Sequence, residues 1–386
     1  MTTPTAAQTQ QNAAQQNLAA RQYLLRTGTP MRKYLGRFGP FAAGTQMQQR
    51  LLNVGILTSL DIDVVAEITI TAAATPSAWG PYNFIRNITF NDYTNQARVN
   101  VSHRALQMIL SARHMRAIGF GNNTRLTDLA VANNAVAPII QLPTAIVAPV
   151  ANNFRVSAHI PIAYDPANNL KGAIFSQIVS GDQILQVQLP TAGQVFGATD
   201  DAVYTAGVGA VAGIFVDIWQ NYIQPVNLGA QPILPLQDLI TVYELATQGQ
   251  SSSDIAVGAV KYINYPNARE VLSAVLGYNN GTAGAGNALT YAADISALSI
   301  QLNANTTLRE YLGLDLLEKQ RHMFGSDLPP GYYYLDSRRV RINTVLYGQV
   351  QILLTPSIVT AAAYTEATFE SFYLKGTALP GISTGA

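Results

Sequence analysis

Between Ser59 and Ile70 the apolar side chains Leu60, Ile62, Val64, Ala66, Ile68 and Ile70 alternate with Ser59, Asp61, Asp63, Glu67 and Thr69. A period of two with one wet face predicts a half-buried strand. Phe84, Ile88 and Phe90 keep strand spacing, Asn91-Asp92-Tyr93-Thr94-Asn95 predicts a turn, and Ala97 to Val101 returns. Strand texture resumes at Phe154–Tyr164 and Gln183–Leu189, and Val211 to Ile223 closes this half. A second half repeats the plan, with strands expected at Leu239–Leu245, Val257–Tyr265, Ala268–Gly277 and Tyr291–Leu302. Four more are expected at Tyr332–Leu335, Val340–Tyr347, Val350–Leu354 and Thr365–Tyr373.

Helical spacing interrupts each half once. Ser102 is placed to cap a helix reaching about Ala117, with Leu106, Ile109, Leu110 and Ala117 inward and His103 and His114 at the flank. Arg113 falls on its apolar stripe. Thr306 or Thr307 is expected to cap a helix to about Phe324, with Leu308, Leu312 and Leu316 on one face. Thr9–Arg26, rich in Ala and Gln, predicts a third helix that needs something to pack against. The stretch 122–152 predicts a long surface loop.

The middle of the chain, Gln224 to Leu245, concentrates Pro225, Gly229, Pro232 and Pro235. Such a segment continues neither a helix nor a central strand. It reads as a bridge between two similar units. Many short strands with turn chemistry argue for an all-β chain of two jelly-roll β-sandwich barrels in tandem, each with a helix inserted midway, plus an N-terminal helical arm. The expected divisions are 1–45 for the arm, 46–232 and 233–376 for the barrels, and 377–386 for a tail. A length of 386 residues suits two domains.

Charge sharpens the picture. Only 12% of residues are charged, about half the usual ~25%, which suits a surface covered by neighbours. Net charge is +1, yet Arg21, Arg26, Arg32, Lys33, Arg37 and Arg50 are the only charged side chains before Asp61. The arm thus has the composition of a segment that touches an anionic surface, membrane headgroups or nucleic acid; the plainer alternative is a solvated tail. Arg21, Arg26, Arg32, Lys33 and Arg37 are the candidate membrane-facing residues. The opening residues lack an apolar core of the secretory kind.

No catalytic chemistry stands out. There is no cysteine, so thiol nucleophiles and thiolate metal sites are excluded. The histidines His103, His114, His159 and His322 form no ligand motif, and His103 and His114 are too far apart on one helix to share a metal. Gly207-Val208-Gly209 lacks the third glycine of a dinucleotide loop, and no G-x-S-x-G elbow occurs. Ser337-Arg338-Arg339-Val340-Arg341 reads as an exposed turn and strand edge. No catalytic residue, cofactor or metal is expected. A receptor- or carbohydrate-binding module and a β-sandwich glycosidase are the alternatives for paired sandwiches.

Several short motifs, in order, resemble the major capsid proteins of tectiviruses, bacteriophages with a membrane beneath an icosahedral shell. They are Asn53-Val54-Gly55-Ile56; Gly80-Pro81 with Asn83; Pro161-Ile162-Ala163-Tyr164 with Leu170, Gly172 and Ala173; and Ile233-Leu234-Pro235-Leu236 with Asp238, Leu239 and Tyr243. The clearest is Asp327-Leu328-Pro329, Gly331, Tyr333-Tyr334 and Asp336, followed by Leu346-Tyr347-Gly348-Gln349-Val350. The loops 122–152 and 191–210 depart from the pattern. The resemblance implies two upright jelly rolls and pseudo-hexagonal homotrimers. It also implies an arm facing the internal membrane, penton and minor capsid proteins as partners, no specific nucleic acid, and a place in the virion shell after synthesis in the host cytoplasm.

Overall fold

The computed structural model describes residues 6–77, 79–114, 142–143, 145–148, 154–197, 202–226, 234–250, 257–279, 295–303, 306–324, 331–338, 342–347, 349–357 and 364–374. Helix α1 (Ala6–Thr27) leads into β1 (Thr29–Phe41), β2 (Gln46–Arg50) and β3 (Ile56–Pro76). Then follow β4 (Asn87–Asn91), β5 (Ala97–Val101), α2 (His103–His114), β6 (Phe154–Pro161), β7 (Ile174–Phe175), β8 (Ile184–Gln188), the short α3 (Ala192–Val195) and β9 (Tyr204–Gln224). The second half contains α4 (Leu236–Ile240), β10 (Thr241–Gln250), β11 (Lys261–Asn264), β12 (Glu270–Asn279), β13 (Ile295–Leu302), β14 (Thr306–Leu312) and α5 (Gly313–Phe324). It closes with β15 (Tyr332–Asp336), β16 (Ile342–Asn343), β17 (Val350–Pro356) and β18 (Tyr364–Leu374).

The described strands form three sheets. A five-stranded sheet has the order β1-β9-β3-β6, with β7 on β3; a four-stranded sheet has the order β11-β17-β13-β14. Between them lies a nine-stranded sheet, β15-β12-β18-β10-β5-β4-β8-β2, with β16 on β12. This middle sheet belongs to both halves, because β5 and β10 pair in parallel, Leu245 opposite Val99. Besides the chain segment between them, a hydrogen-bonded seam joins the two halves.

The side-chain alternation shows how the layers stack. On β15, Tyr332 and Tyr334 enter the larger core, which fills the space against the five-stranded sheet, while Tyr333 and Leu335 enter the core against the four-stranded sheet. On β12, Leu272 and Val275 go one way, Ala274 and Leu276 the other. Successive strand residues point to opposite faces, so the two outer sheets cover opposite faces of the middle one. Helix α2 packs on β12 and β15 from the first side. Ser102 caps it as expected, accepting from the Ala105 N–H through Oγ (3.4 Å) and the Leu106 N–H through its carbonyl (3.0 Å).

Several expectations need correction. Residues 29–41 are no arm: β1 runs antiparallel to β9, Thr29 opposite Gln224 through Phe41 opposite Ile214. Pro30, Gly36, Gly39 and Pro40 interrupt its alternation. Thr306–Leu312 is a strand on β13, and the helix starts only at Gly313; β-branched Thr306 and Thr307 suit a pleated surface better than a first helical turn. Leu239 lies in α4, ahead of the strand. His103 is not at a flank but fully buried beside Tyr82. Of the described residues of the expected strand Val340–Tyr347, Ile342–Asn343 are strand. Residues 115–117, 227–233, 291–294, 325–330, 339–341 and 375–386 lie outside the described residues. So does the expected loop 122–152, save 142–143 and 145–148.

Candidate functional site

Two constructions stand out: a clasp that docks α1, and a clamp that ties the halves together. In α1, Asn17, Ala20 and Leu24 fall on one stripe and are buried, with Arg21 beside them largely covered. This stripe meets α4. Asp238, buried in the first turn of α4, receives Arg21 through Nε (2.5 Å) and Nη2 (2.7 Å), and Asn17 through Nδ2 (3.1 Å). The Gln237 N–H donates to Asn17 Oδ1 at 2.9 Å. Below, Leu24 joins Ile56, Leu170, Phe175, Ile223 and Leu239 in a third, smaller core. A two-pronged guanidinium–carboxylate contact fixes direction as well as charge, so α1 is held in one orientation against the segment between the barrels.

The clamp is centred on β18. Glu370, buried, accepts from Arg113 Nη2 (2.5 Å), Tyr243 Oη (3.0 Å) and Ser273 Oγ (2.5 Å). Arg113 also donates to the Tyr164 carbonyl at 2.7 Å. Four residues earlier, Glu366 accepts from Ser102 Oγ (3.0 Å) and Tyr332 Oη (3.1 Å). Both ends of α2, an element of the first half, are thereby tied to one strand of the second. Burial lowers the proton affinity of Arg113, but Tyr243 and Glu370 beside it more than reverse this, so it stays charged. Burial also pushes the Tyr243 hydroxyl well up. A second buried pair, Arg98 with Asp92 at 2.9 Å, reaches the carbonyl of Gly172 at 3.1 Å. Burial alone would raise the Asp92 carboxyl; the Arg98 charge and hydrogen bonds from Thr94 hold it at about 2.

The outward face of the five-stranded sheet is a web of ion pairs. Asp61 accepts from Arg32 Nε (3.2 Å) and Asn221 Nδ2 (2.9 Å), and lies 2.7 Å from His159 Nδ1. Its burial would raise it, but the hydrogen bonds from His159 and Asn221 and the nearby charge bring it to about 2. Asp217 accepts from Arg37 Nη2 (2.8 Å) and Tyr34 Oη (2.7 Å), and Arg155 pairs with Asp63. A cleft of about 840 Å³ opens between this face and the clamp, lined by Arg32, Arg113, His159, Tyr164 and Arg338 among others. The three arginines have carboxylate partners, Asp61 for Arg32, Glu370 for Arg113 and Asp336 for Arg338, and His159 Nδ1 lies against Asp61.

The five arm residues therefore separate. Arg21 belongs to the clasp, Arg32 and Arg37 to the sheet face, and only Arg26 and Lys33 are exposed with no ion pair among the described residues. The clasp and clamp were missed because their acids lie more than two hundred residues from their bases. The one local signal was Arg113 on an apolar stripe, the mark of a buried cation whose partner comes from elsewhere. Among the described residues no group of three or more His, Asp or Glu is arranged to hold a metal, and no helix is long and apolar enough to cross a membrane.

Comparison with known proteins fits this architecture to a family. Residues 2–217 match the family described as P3 major capsid protein N-terminal, and residues 240–383 match P3 major capsid protein C-terminal. The chain belongs to the P3 major capsid protein family. It is 28% identical over 376 residues to the major capsid protein P3 of Enterobacteria phage PRD1, a tectivirus, covering 94% of this chain and 92% of that one. In fold it is similar to a chain in the atomic structure of Sulfolobus Turreted Icosahedral Virus (TM-score 0.63, 13% identity, 90% of this chain and 91% of that one). It is also similar to the Faustovirus major capsid protein (TM-score 0.53, 10% identity, 90% and 91%). The tectivirus resemblance and the double jelly-roll fold are both borne out. The protein is a major capsid protein located in the virion shell.

Proposed function

We propose that this P3-family protein builds its icosahedral shell as pseudo-hexagonal homotrimers and that its role is wholly structural, with no catalytic turnover. The observation that carries this reading is the seam and clamp. Two barrels joined by a parallel strand pair and by buried Arg113–Glu370 form one stiff double block, the element that a pseudo-sixfold tile needs in triplicate. The low charged fraction of 12% agrees with a surface mostly covered by copies.

In this reading the N-terminal segment faces the internal membrane, but less strongly than five free cations would suggest. Three of them are engaged within the chain. Arg26 and Lys33 are the two that meet headgroups, each contributing ~1 kcal/mol beside an anionic surface. Penton and minor capsid proteins complete the partners, and specific nucleic acid is not among them. Flotation with anionic vesicles tests the membrane part. Replacing Arg26 and Lys33 by Gln should lower the floated fraction at low salt, whereas replacing Arg37 should not. Equal flotation of all three at low and high salt would refute it.

A further inference from the structure

The cleft beside the clamp is walled by side chains from both halves. At about 840 Å³ it has the size of a pocket for a small organic molecule. Arg32 on β1, Arg113 on α2, His159 on β6 and Arg338 after β15 line it. Asp165 is the acid among the described lining residues, and it accepts from Asn168 Nδ2 at 3.0 Å. The carboxylates that pair with the arginines, Asp61, Glu370 and Asp336, do not line the cleft. Met31, Pro161 and Tyr164 give it apolar wall.

Arg32 is fixed on two sides. Its guanidinium lies over the Trp219 ring, 4.7 Å from the centroid, and its Nε donates to Asp61 at 3.2 Å. Neither of its Nη groups has a hydrogen-bond partner among the described residues, and the side chain is 55% exposed. His159, 45% exposed, is held through Nδ1 by the same Asp61, and its Nε2 is likewise open among the described residues. Arg338 commits Nε and Nη2 to Asp336, which leaves Nη1, 3.4 Å from the Ala112 carbonyl. We propose that this cleft binds a phosphate ester, its phosphate on the open Nη edge of Arg32 and on His159 Nε2, its organic part against Met31, Pro161 and Tyr164. The planar edge of a guanidinium matches two phosphate oxygens. A fork already stacked and pinned loses little freedom when it binds. His159 Nε2 donates as well when the ring carries both protons. The paired acids cancel most of the net charge, so hydrogen-bond geometry supplies the affinity, and an apolar wall favours an ester over a bare ion. A phospholipid headgroup and a small soluble phosphate ester share this chemistry.

Isothermal titration of the purified full-length protein in phosphate-free buffer tests this. The probes are dihexanoyl phosphatidylglycerol below its micellar concentration, glycerol phosphate, inorganic phosphate, and dihexanoylglycerol, which has the acyl chains without the phosphate. The expected result is saturable binding of the phospholipid or of glycerol phosphate, about tenfold tighter than that of inorganic phosphate or dihexanoylglycerol. The tighter of the two esters tells a lipid source from a soluble one. Arg32→Gln should weaken that binding about tenfold, and Arg32→Lys nearly as much, because lysine keeps the charge and loses the fork. Arg155→Gln removes another exposed cation of the same sheet, one outside the cleft, and should leave binding unchanged. Absence of saturable binding overturns the proposal. So does binding of inorganic phosphate or dihexanoylglycerol as tight as that of the esters, and so does ester binding that survives both Arg32 substitutions in variants with unchanged circular dichroism.

Discussion

Replacing Arg21 with Gln removes the partner of a buried carboxylate. Asp238 is 1% exposed and Arg21 19%, so the loss is not screened as at an open surface. Breaking a buried pair from one side costs ~3–5 kcal/mol. Asn17 keeps its hydrogen bond to Asp238, and Arg21 is partly wet, so the lower end applies, about 3 kcal/mol. The barrels do not depend on this contact, since their cores draw on α1 only through Leu24 and Leu25 in the smallest cluster. The cost therefore falls on the docking of α1. In native-state hydrogen exchange, 3 kcal/mol corresponds to roughly a 150-fold loss of protection. That loss should be confined to amides of Ala6–Thr27, with β3 and β9 unchanged. Asp238→Asn combined with Arg21→Gln should recover part of it, because no unpaired charge remains. If Arg21→Gln changes α1 protection by less than threefold, Asp238 is not the clasp.

Three other outcomes follow from the same geometry. His103 is completely buried, which lowers its proton affinity to about 4 from 6.5; the unfolded chain takes up the proton first, so stability is full above pH 6.5 and is lost as pH falls toward 4. Urea unfolding should show a loss of about 2 kcal/mol between pH 7 and pH 5 from this group, and His103→Gln should flatten the slope. At Gly172, φ is +92° and a Cβ would lie 2.4 Å from Tyr243 Cβ and 2.6 Å from the Ile162 carbonyl; Gly172→Ala should cost ~2–3 kcal/mol in a thermal or urea melt. Deleting residues 1–28 should leave both barrels folded, whereas deletion through 41 strips β1 from β9 and should cause aggregation visible by light scattering.

Where a segment's own residues decide its structure, the sequence was readable. The alternation in Leu60–Ile70 and the cap at Ser102 carry β3 and the start of α2. What was not readable depends on distant pairing. β1 is a strand because β9 offers an open edge, not because Thr-Pro-Met-Arg-Lys-Tyr-Leu-Gly alternates. Leu308, Leu312 and Leu316 keep helical spacing, yet β13 claims the first two for a strand. The parallel seam of β5 and β10 leaves no local trace, and neither does the choice of Asp238 as partner for Arg21. Arg21, Arg32 and Arg37 looked like free charge because their acids come later in the chain.

The central claim is a double-barrel block that assembles in threes. Multi-angle light scattering of the purified protein at micromolar concentration tests it directly. The account predicts a stable species of three times the 41.4 kDa chain mass, about 124 kDa, that persists on dilution. A species that stays at 41.4 kDa across that concentration range would contradict it.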